Sequence, residues 1–357
     1  MWNPFKTLLP KNFLGIDIGT SYIKIVEISK SGHRKKLENY GQLSASAFHE
    51  KPFRTLEKNT LFLSNQDIVK AIKTIIEEAG IKTRQVVFSI PDFSSLFTNF
   101  ELPPMTKEEL PQAVRYEARQ HIPLPLAEVT LDWQIIESRP LDDKKTSFKI
   151  LLVAVPNEVV NQYQEIARIS RLELFALEAE VFSLMRSLVE EDKNIPIAIL
   201  DIGAQSTTCS IVDKRILKIS HSFNISGNEF IKVISKNLSI DYLEAEKLEK
   251  EYGIKGKKEV KESLLPLIDV ILREIEVILN SFEQKSGGKI QKIILAGGLA
   301  LLPGLKEYFA ENLKTEIEIA NPFSNILYSP ILEKTLLEMG PSFAIAAGAA
   351  LRGWNIN

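Results

Sequence analysis

The segment Phe13-Leu-Gly-Ile-Asp-Ile-Gly-Thr-Ser21 returns in altered form as Ile197-Ala-Ile-Leu-Asp-Ile-Gly-Ala-Gln205. Each copy is a short apolar, β-branched run of the kind that forms a buried strand, closed by Asp-Ile-Gly and small polar residues that turn the chain. A second apolar run follows each turn, Ile23 to Ile28 and Thr208 to Val212. The repetition predicts a strand, a tight turn and a strand in each half, and so a chain of two related lobes. Its 357 residues suffice for two or three domains.

The stretch between the copies has a different pattern. Gln66 to Ala79 carries a helical apolar stripe closed by Gly80, and Gln85 to Ile90 reads as a buried strand before Pro91. Ser95 to Leu102 alternates as a strand, and Thr106-Lys-Glu-Glu109 forms a capping box for a helix through Gln120, with Pro111 awkward in its first turn. Strands at 129–138 and 147–155 follow, flanking a polar turn at 140–144. Strand, helix, strand, strand describes a small inserted unit. The expected division is a first lobe from 1–91 and 156–192, an insertion at 92–155, and a second lobe from 193–227 and 289–357 that returns to the first. Residues 228–288 form a helical subdomain on the second lobe, with a charged, solvated hairpin at 244–262. The expected interlobe linker is 190–194. Further helices are expected at 159–169, 180–189, 228–237, 242–251 and 264–285, and strands at 172–177 and 289–295.

An aspartate at a strand end, followed by glycine and small hydroxyl residues, can hold a hydrated divalent cation while turn amides approach phosphate oxygens. The first copy supplies Asp17, Gly19, Thr20, Ser21 and, on the next strand, Lys24; the second supplies Asp201, Gly203, Ala204, Gln205, Ser206 and Thr207. If the two hairpins face each other, Asp17 and Asp201 converge on one Mg2+ and the two loops clasp one polyphosphate. A single Asp-Ile-Gly is no more than a capped β-turn. Two matched copies, with a Gly297-Gly298-Leu299 turn after a strand, point to more. A Gly-Gly turn lets backbone approach a nucleoside without Cβ interference, so ATP is the expected ligand.

Composition narrows the alternatives. A net charge of −2 gives nucleic acid no broad basic surface, and the lone Cys209 permits no intrachain disulfide, which fits a reducing cytoplasm. Cys209 reads as a small buried apolar residue. No apolar run approaches the roughly 18 residues of a membrane-spanning helix, and the first ten residues, broken by Pro4 and Pro10, do not read as a signal peptide. Met1 to Lys11 is either a membrane-touching segment or a frayed end. His33, His49, His121 and His221 have no metal-ligand spacing, and Arg115, Arg119 and His121 read as a polar helix face rather than an anion site.

These motifs resemble those of the actin, heat-shock chaperone and sugar kinase superfamily. The resemblance implies a two-lobed α/β fold of duplicated RNase H-like units. It places the phosphate motifs at Asp17 to Lys24 and Asp201 to Thr208 and the adenosine motif at Ala296 to Leu305. Connecting helices fall at 177–188 and 343–352, with Glu180 near the nucleotide as the candidate catalytic carboxylate, and Glu246 is implied as a ribose contact. Related sequences tend to have Lys where this chain has Glu249.

The insertion resembles the 1C (SHS2) subdomain of FtsA and the PilM family of type IV pilus assembly proteins. Glu108-Glu-Leu110, Glu117-Ala-Arg-Gln-His-Ile-Pro-Leu-Pro125, Val129-Thr-Leu-Asp-Trp-Gln134 and Glu178-Ala-Glu-Val-Phe-Ser183 look like the PilM family. That resemblance implies an actin-like, ATP-binding component of pilus biogenesis and twitching motility with at most slow ATPase activity. It also implies attachment at the inner membrane by docking the cytoplasmic tail of PilN between subdomains 1A and 1C, where Phe93, Leu96, Phe97, Phe100 and Leu102 supply apolar material. The alternatives are an FtsA-like division protein, disfavoured because the sequence stops at Asn357 without an amphipathic helix, and a small-molecule kinase.

Overall fold

The computed structural model describes residues 12–32, 34–47, 52–57, 60–140, 146–190 and 195–354. His33, His49, Met1 to Lys11, most of the turn at 140–144 and of the linker at 190–194 lie outside the described residues.

The chain begins with three antiparallel strands, β1 (Asn12–Ile18), β2 (Tyr22–Ser31) and β3 (Arg34–Ser44). The short pair β4 (Arg54–Glu57) and β5 (Thr60–Leu63), helix α1 (Asn65–Glu78) and strand β6 (Gln85–Ile90) follow. Next come β7 (Leu96–Met105), α2 (Leu110–His121), β8 (Val129–Pro140) and β9 (Thr146–Pro156), then α3 (Asn157–Ile169), β10 (Glu173–Ala179) and α4 (Glu180–Leu188). The second half opens with β11 (Ile197–Ile202), β12 (Thr207–Asp213) and β13 (Ile216–Phe223), again antiparallel. It continues through α5 (Gly227–Leu238), α6 (Tyr242–Tyr252), α7 (Lys258–Ser286), β14 (Lys292–Ala296), α8 (Leu305–Leu313), β15 (Glu316–Ile319) and α9 (Glu333–Arg352).

The two large sheets have one topology. The first runs β3-β2-β1-β6-β10 and the second β13-β12-β11-β14-β15, and in each the last two strands are parallel to the central one. The central strands are buried almost throughout, as sheets covered on both faces require. One apolar core packs α1 and α3 on the first sheet, and a larger one packs α5, α7 and α8 on the second. This is a two-lobed actin-like α/β fold.

Strands β7, β9 and β8 form a separate three-stranded sheet covered by α2, with its own core of Phe100, Leu102, Val114, Phe148 and Ile150. Its helix begins one turn later than the sequence predicts. Glu109 accepts from the Thr106 amide at 2.8 Å, as a capping box requires, but residues 107–109 form a turn and Pro111 falls in the first helical turn, where its missing N–H costs nothing.

The helix expected at 264–285 starts at Lys258 and passes through Pro266, because Val260, Leu264 and Ile268 are buried in the second-lobe core. Likewise α9 starts ten residues before the expected Phe343 and contains Pro341. The other connecting helix starts at Glu180 rather than Leu177, since residues through Ala179 pair with β6. Helices α4 and α9 cross between the lobes. A Cβ on Gly348 would strike the Ser183 carbonyl of α4, and one on Gly15 would strike the backbone of α9 at Ala346 and Ala350. Arg186 seals the crossing, donating to the Gly348 carbonyl at 2.9 Å and to Glu178.

Candidate functional site

The two Asp-Ile-Gly turns close with the same bond. Gly19 donates to the Tyr22 carbonyl at 2.9 Å and Gly203 to the Ser206 carbonyl at 3.0 Å. The carbonyls of Thr20 and Ser21 accept from Phe53 and Ala45, and those of Gly203 and Ala204 accept from Gly227 and Asn228 at the start of α5. Among the described residues, none accepts from the amides of Thr20, Ser21, Ala204 or Gln205. The turns meet: Thr20 Oγ1 donates to Gln205 Oε1 at 3.3 Å across 185 positions of sequence. Four amides with no acceptor among the described residues, beside this contact, form the kind of nest that binds anionic oxygens.

Asp17 and Asp201 stand behind these turns. Asp17 is buried, accepts from Ser89 Oγ at 3.5 Å and pairs with Lys24 at 3.6 Å. Burial, then the nearby carboxylates Glu180 and Asp17, push Asp201 up to about 7, against the pull of Lys24 and Arg54. Three carboxylates thus share one electrostatic neighbourhood. Among the described residues no group of three or more His, Cys, Asp or Glu side chains is arranged to hold a metal by itself. A hard cation brought in by phosphate oxygens and water needs only one or two such carboxylates.

The third motif abuts the second. Gly297 has φ +87° and donates to the Pro341 carbonyl at 3.0 Å, and a Cβ there would lie 2.6 Å from Asp201 Oδ1, so only glycine fits. A Cβ on Gly298 would meet nothing within 4 Å, which leaves space above the turn. The end of α6 is tied to the same loop by the Ile254 amide, which donates to Pro303 at 2.8 Å. On α6, Glu246 pairs with Lys250 at 2.6 Å, and Lys250 lies within electrostatic reach of Tyr22 in the first lobe.

Two residues marked by the sequence are otherwise engaged. Thr207 is fully buried and its hydroxyl donates to the Ile225 carbonyl, because it opens β12 inside the sheet. The Leu299 side chain packs in the second-lobe core, so only its backbone faces the turn. Cys209 is buried, and burial pushes its thiol up to about 12.

Three residues that sequence reasoning missed surround Glu180. Arg54 Nη1 donates to Glu180 Oε1 at 2.8 Å in a buried pair. The Asp92 amide donates to Glu180 Oε2 at 3.3 Å, while Asp92 Oδ1 accepts from the Val181 amide at 3.1 Å. Tyr163 lies fully buried beside them, its hydroxyl raised by burial. Burial and Glu180 raise Asp92 well above the usual carboxylate range. Burial alone would lower the Arg54 guanidinium, but Glu180 and Asp17 hold its charge. The one sequence cue was Pro91-Asp92, an acid directly after a buried strand.

A profile of the family described as type IV pilus assembly protein PilM matches residues 15–354. The chain belongs to that family. A solved PilM–PilN type IV pilus biogenesis complex is similar at 25% identity and a TM-score of 0.84, covering 98% of this chain and 100% of that one. MreB5 of Spiroplasma citri, solved with ADP, shares the fold at 13% identity and a TM-score of 0.54, over 96% of this chain and 95% of that one. Cell division protein FtsA of Enterococcus faecalis is 21% identical over 91% of this chain and 82% of its own length. In the strand–helix–strand–strand insertion of this PilM-family chain, most of the apolar residues offered for a groove pack inward. Phe100 and Leu102 fill its core, Phe97 packs against Phe182, and Phe93 packs on the first-lobe core. The insertion instead carries an open recess of about 670 Å³ beside Pro104, Met105, Gln112, Arg115, Tyr116 and Arg119.

Proposed function

We propose that this PilM-family chain is a nucleotide-dependent scaffold of pilus assembly, binding ATP with Mg2+ between its lobes and docking the cytoplasmic tail of PilN on its insertion. The observation that carries the nucleotide reading is the meeting of the two Asp-Ile-Gly turns at Thr20 and Gln205. In this reading the amides of Thr20, Ser21, Ala204 and Gln205, with Lys24, hold the phosphates. The backbone at Gly297, Gly298 and Leu299 faces the nucleoside, with Glu246 on α6 near the ribose. Asp17 and Asp201 hold the magnesium, whose chemistry when bound is to neutralise phosphate charge. The donor set fits such an ion: both side chains are hard oxygen ligands, and Asp201 carries an unfavourable carboxylate that a cation relieves. The reading is supported by fold relatives solved with ADP and with AMPPNP.

Hydrolysis is slow in this reading. Each Glu180 oxygen already accepts one hydrogen bond, from Arg54 and from the Asp92 amide, so the carboxylate is fixed in place and offers a water only its remaining lone pairs. The PilN tail is proposed because the solved relative is a complex with PilN. Among the described residues no helix is long and apolar enough to cross a membrane, so the inner-membrane attachment and the role in twitching motility proposed here run through that partner. Calorimetric titration tests both halves: ATP binds with Mg2+ and far more weakly with EDTA, and a synthetic peptide of the PilN tail binds the full chain. Equal ATP affinity with and without Mg2+ would refute the metal assignment.

A further inference from the structure

Arg54 opens β4 on the crossing from β3 to α1, and its side chain is buried. It makes two unlike contacts. Its edge holds Glu180, the first residue of α4, and its face lies over the Phe93 ring at 5.3 Å from the centroid. Phe93 belongs to the short turn Asp92–Ser94 from which β7 and the whole insertion depart. Asp92 closes the ring by bonding Glu180 through its amide and the Val181 amide through its carboxyl group. The root of the insertion is therefore fastened to the carboxylate whose charge bears on Asp201.

The far side of the insertion rests on the other lobe. Asn99 Nδ2 donates to the Lys218 carbonyl of β13 at 3.1 Å, and Ile136 and Leu151 pack with Val181 and Leu217. Among the described residues, the buried atoms Arg54 Nε and Tyr163 Oη meet no partner at full hydrogen-bond geometry, although the guanidinium lies close enough to Tyr163 to act on its hydroxyl. Such atoms call for a physical reason. Tyr163 Oη, already beside the guanidinium, is the acceptor that Arg54 would gain if its bond to Glu180 loosened.

We propose that Arg54 is a positioning residue that couples the cleft to the insertion, so that a metal–nucleotide at Asp17 and Asp201 changes how the root at Asp92–Ser94 is held. The coupling rests on the nucleotide reading above. A cation at the two aspartates attracts Glu180 and repels Arg54, which is a differential interaction of the kind a population shift requires. The guanidinium serves both contacts at once, one edge nitrogen on Glu180 and its flat face over Phe93, whereas an ammonium keeps the charge but has no face to lay over the ring.

Hydrogen–deuterium exchange on the full chain tests this, with and without saturating Mg2+ and AMPPNP, for wild type, Arg54→Lys and Phe93→Leu. In wild type, nucleotide changes exchange at the amides of residues 92–96 and of Val181 by about threefold or more. In both variants that nucleotide-dependent difference disappears. If Arg54→Lys does not fold, Phe93→Leu, which keeps the Arg54–Glu180 pair, decides alone. A merely structural Arg54 shifts exchange equally with and without nucleotide and leaves the difference intact, which overturns the proposal. Wild type that binds nucleotide without any change at the root overturns the coupling and spares the nucleotide reading. Wild type that binds no nucleotide overturns both.

Discussion

The two Asp-Ile-Gly hairpins share a strand order and a closing hydrogen bond, but they differ at the residue that faces the aspartate. In the first, Asp17 stands opposite Lys24, and in the second Asp201 stands opposite Thr208, whose hydroxyl is bonded to Ser222. Asp17 has a cation at 3.6 Å, whereas Asp201 is held up to about 7 by its surroundings. Duplication thus supplied the backbone of the site twice and its charge once. The proposed work divides accordingly, with the first hairpin balancing phosphate charge and the second responding to the metal.

Removing either carboxylate should have the largest effect. Asp17→Ala and Asp201→Ala should each weaken Mg2+-dependent ATP binding about tenfold to a hundredfold, the range for loss of one charge-assisted contact, with thermal melting showing both variants folded. The asymmetry itself is tested next. Lys24→Met should cost about tenfold in ATP affinity, and Thr208→Val less than about twofold, in the same calorimetric assay. Equal losses would show that the hairpins do equivalent work.

The titration of Asp201 gives a smaller, graded effect. The folded chain holds this proton more tightly than the unfolded chain, so its contribution to stability is complete below the ordinary carboxylate range and is lost as pH rises through about 7. A metal needs the ionised form. Mg2+–ATP binding should therefore release about one proton at pH 6 and almost none at pH 8.5, read by calorimetry in buffers of different ionisation heat, and Asp201→Asn should abolish the difference.

The smallest effect belongs to the second lobe alone. Glu249 on α6 is buried, its Oε1 has no hydrogen-bond partner among the described residues, and burial pushes it up to about 8. Its contribution is likewise lost as pH rises through about 8. Glu249→Gln should raise the melting temperature by about 2–4 °C at pH 9 and leave it unchanged at pH 6.

The repeat, the insertion and the turn residues were legible because turn chemistry and buried strands are written locally. Asp17, Gly19, Asp201, Gly203 and Gly297 need no distant information to be recognised. Strand β3 was not legible, because in Arg34–Ser44 only Leu37 is buried and an edge strand need not alternate. Arg54 was not legible for a stronger reason: an arginine in a short polar strand reads as surface, and its burial depends on Glu180, 126 positions away. The start of α7 was placed six residues late because Lys258 to Glu262 lie in a stretch so charged that it reads as a solvated hairpin, whereas burial of Val260 in the second-lobe core carries the helix back to Lys258.

The crossing of α4 and α9 has a mechanical consequence. Where Gly348 meets the Ser183 carbonyl there is no side chain to act as a cushion, so the contact behaves as a bearing without clearance. Sliding one helix along the other would drive backbone into backbone, and the bonds from Arg186 to Gly348 and from Ser187 to Ala344 hold the same point. If the lobes move, this crossing is the fulcrum they turn on, and displacement grows with distance from it. Any part far from Gly348 moves most for a given turn, and a single methyl group added at that glycine should jam the pivot.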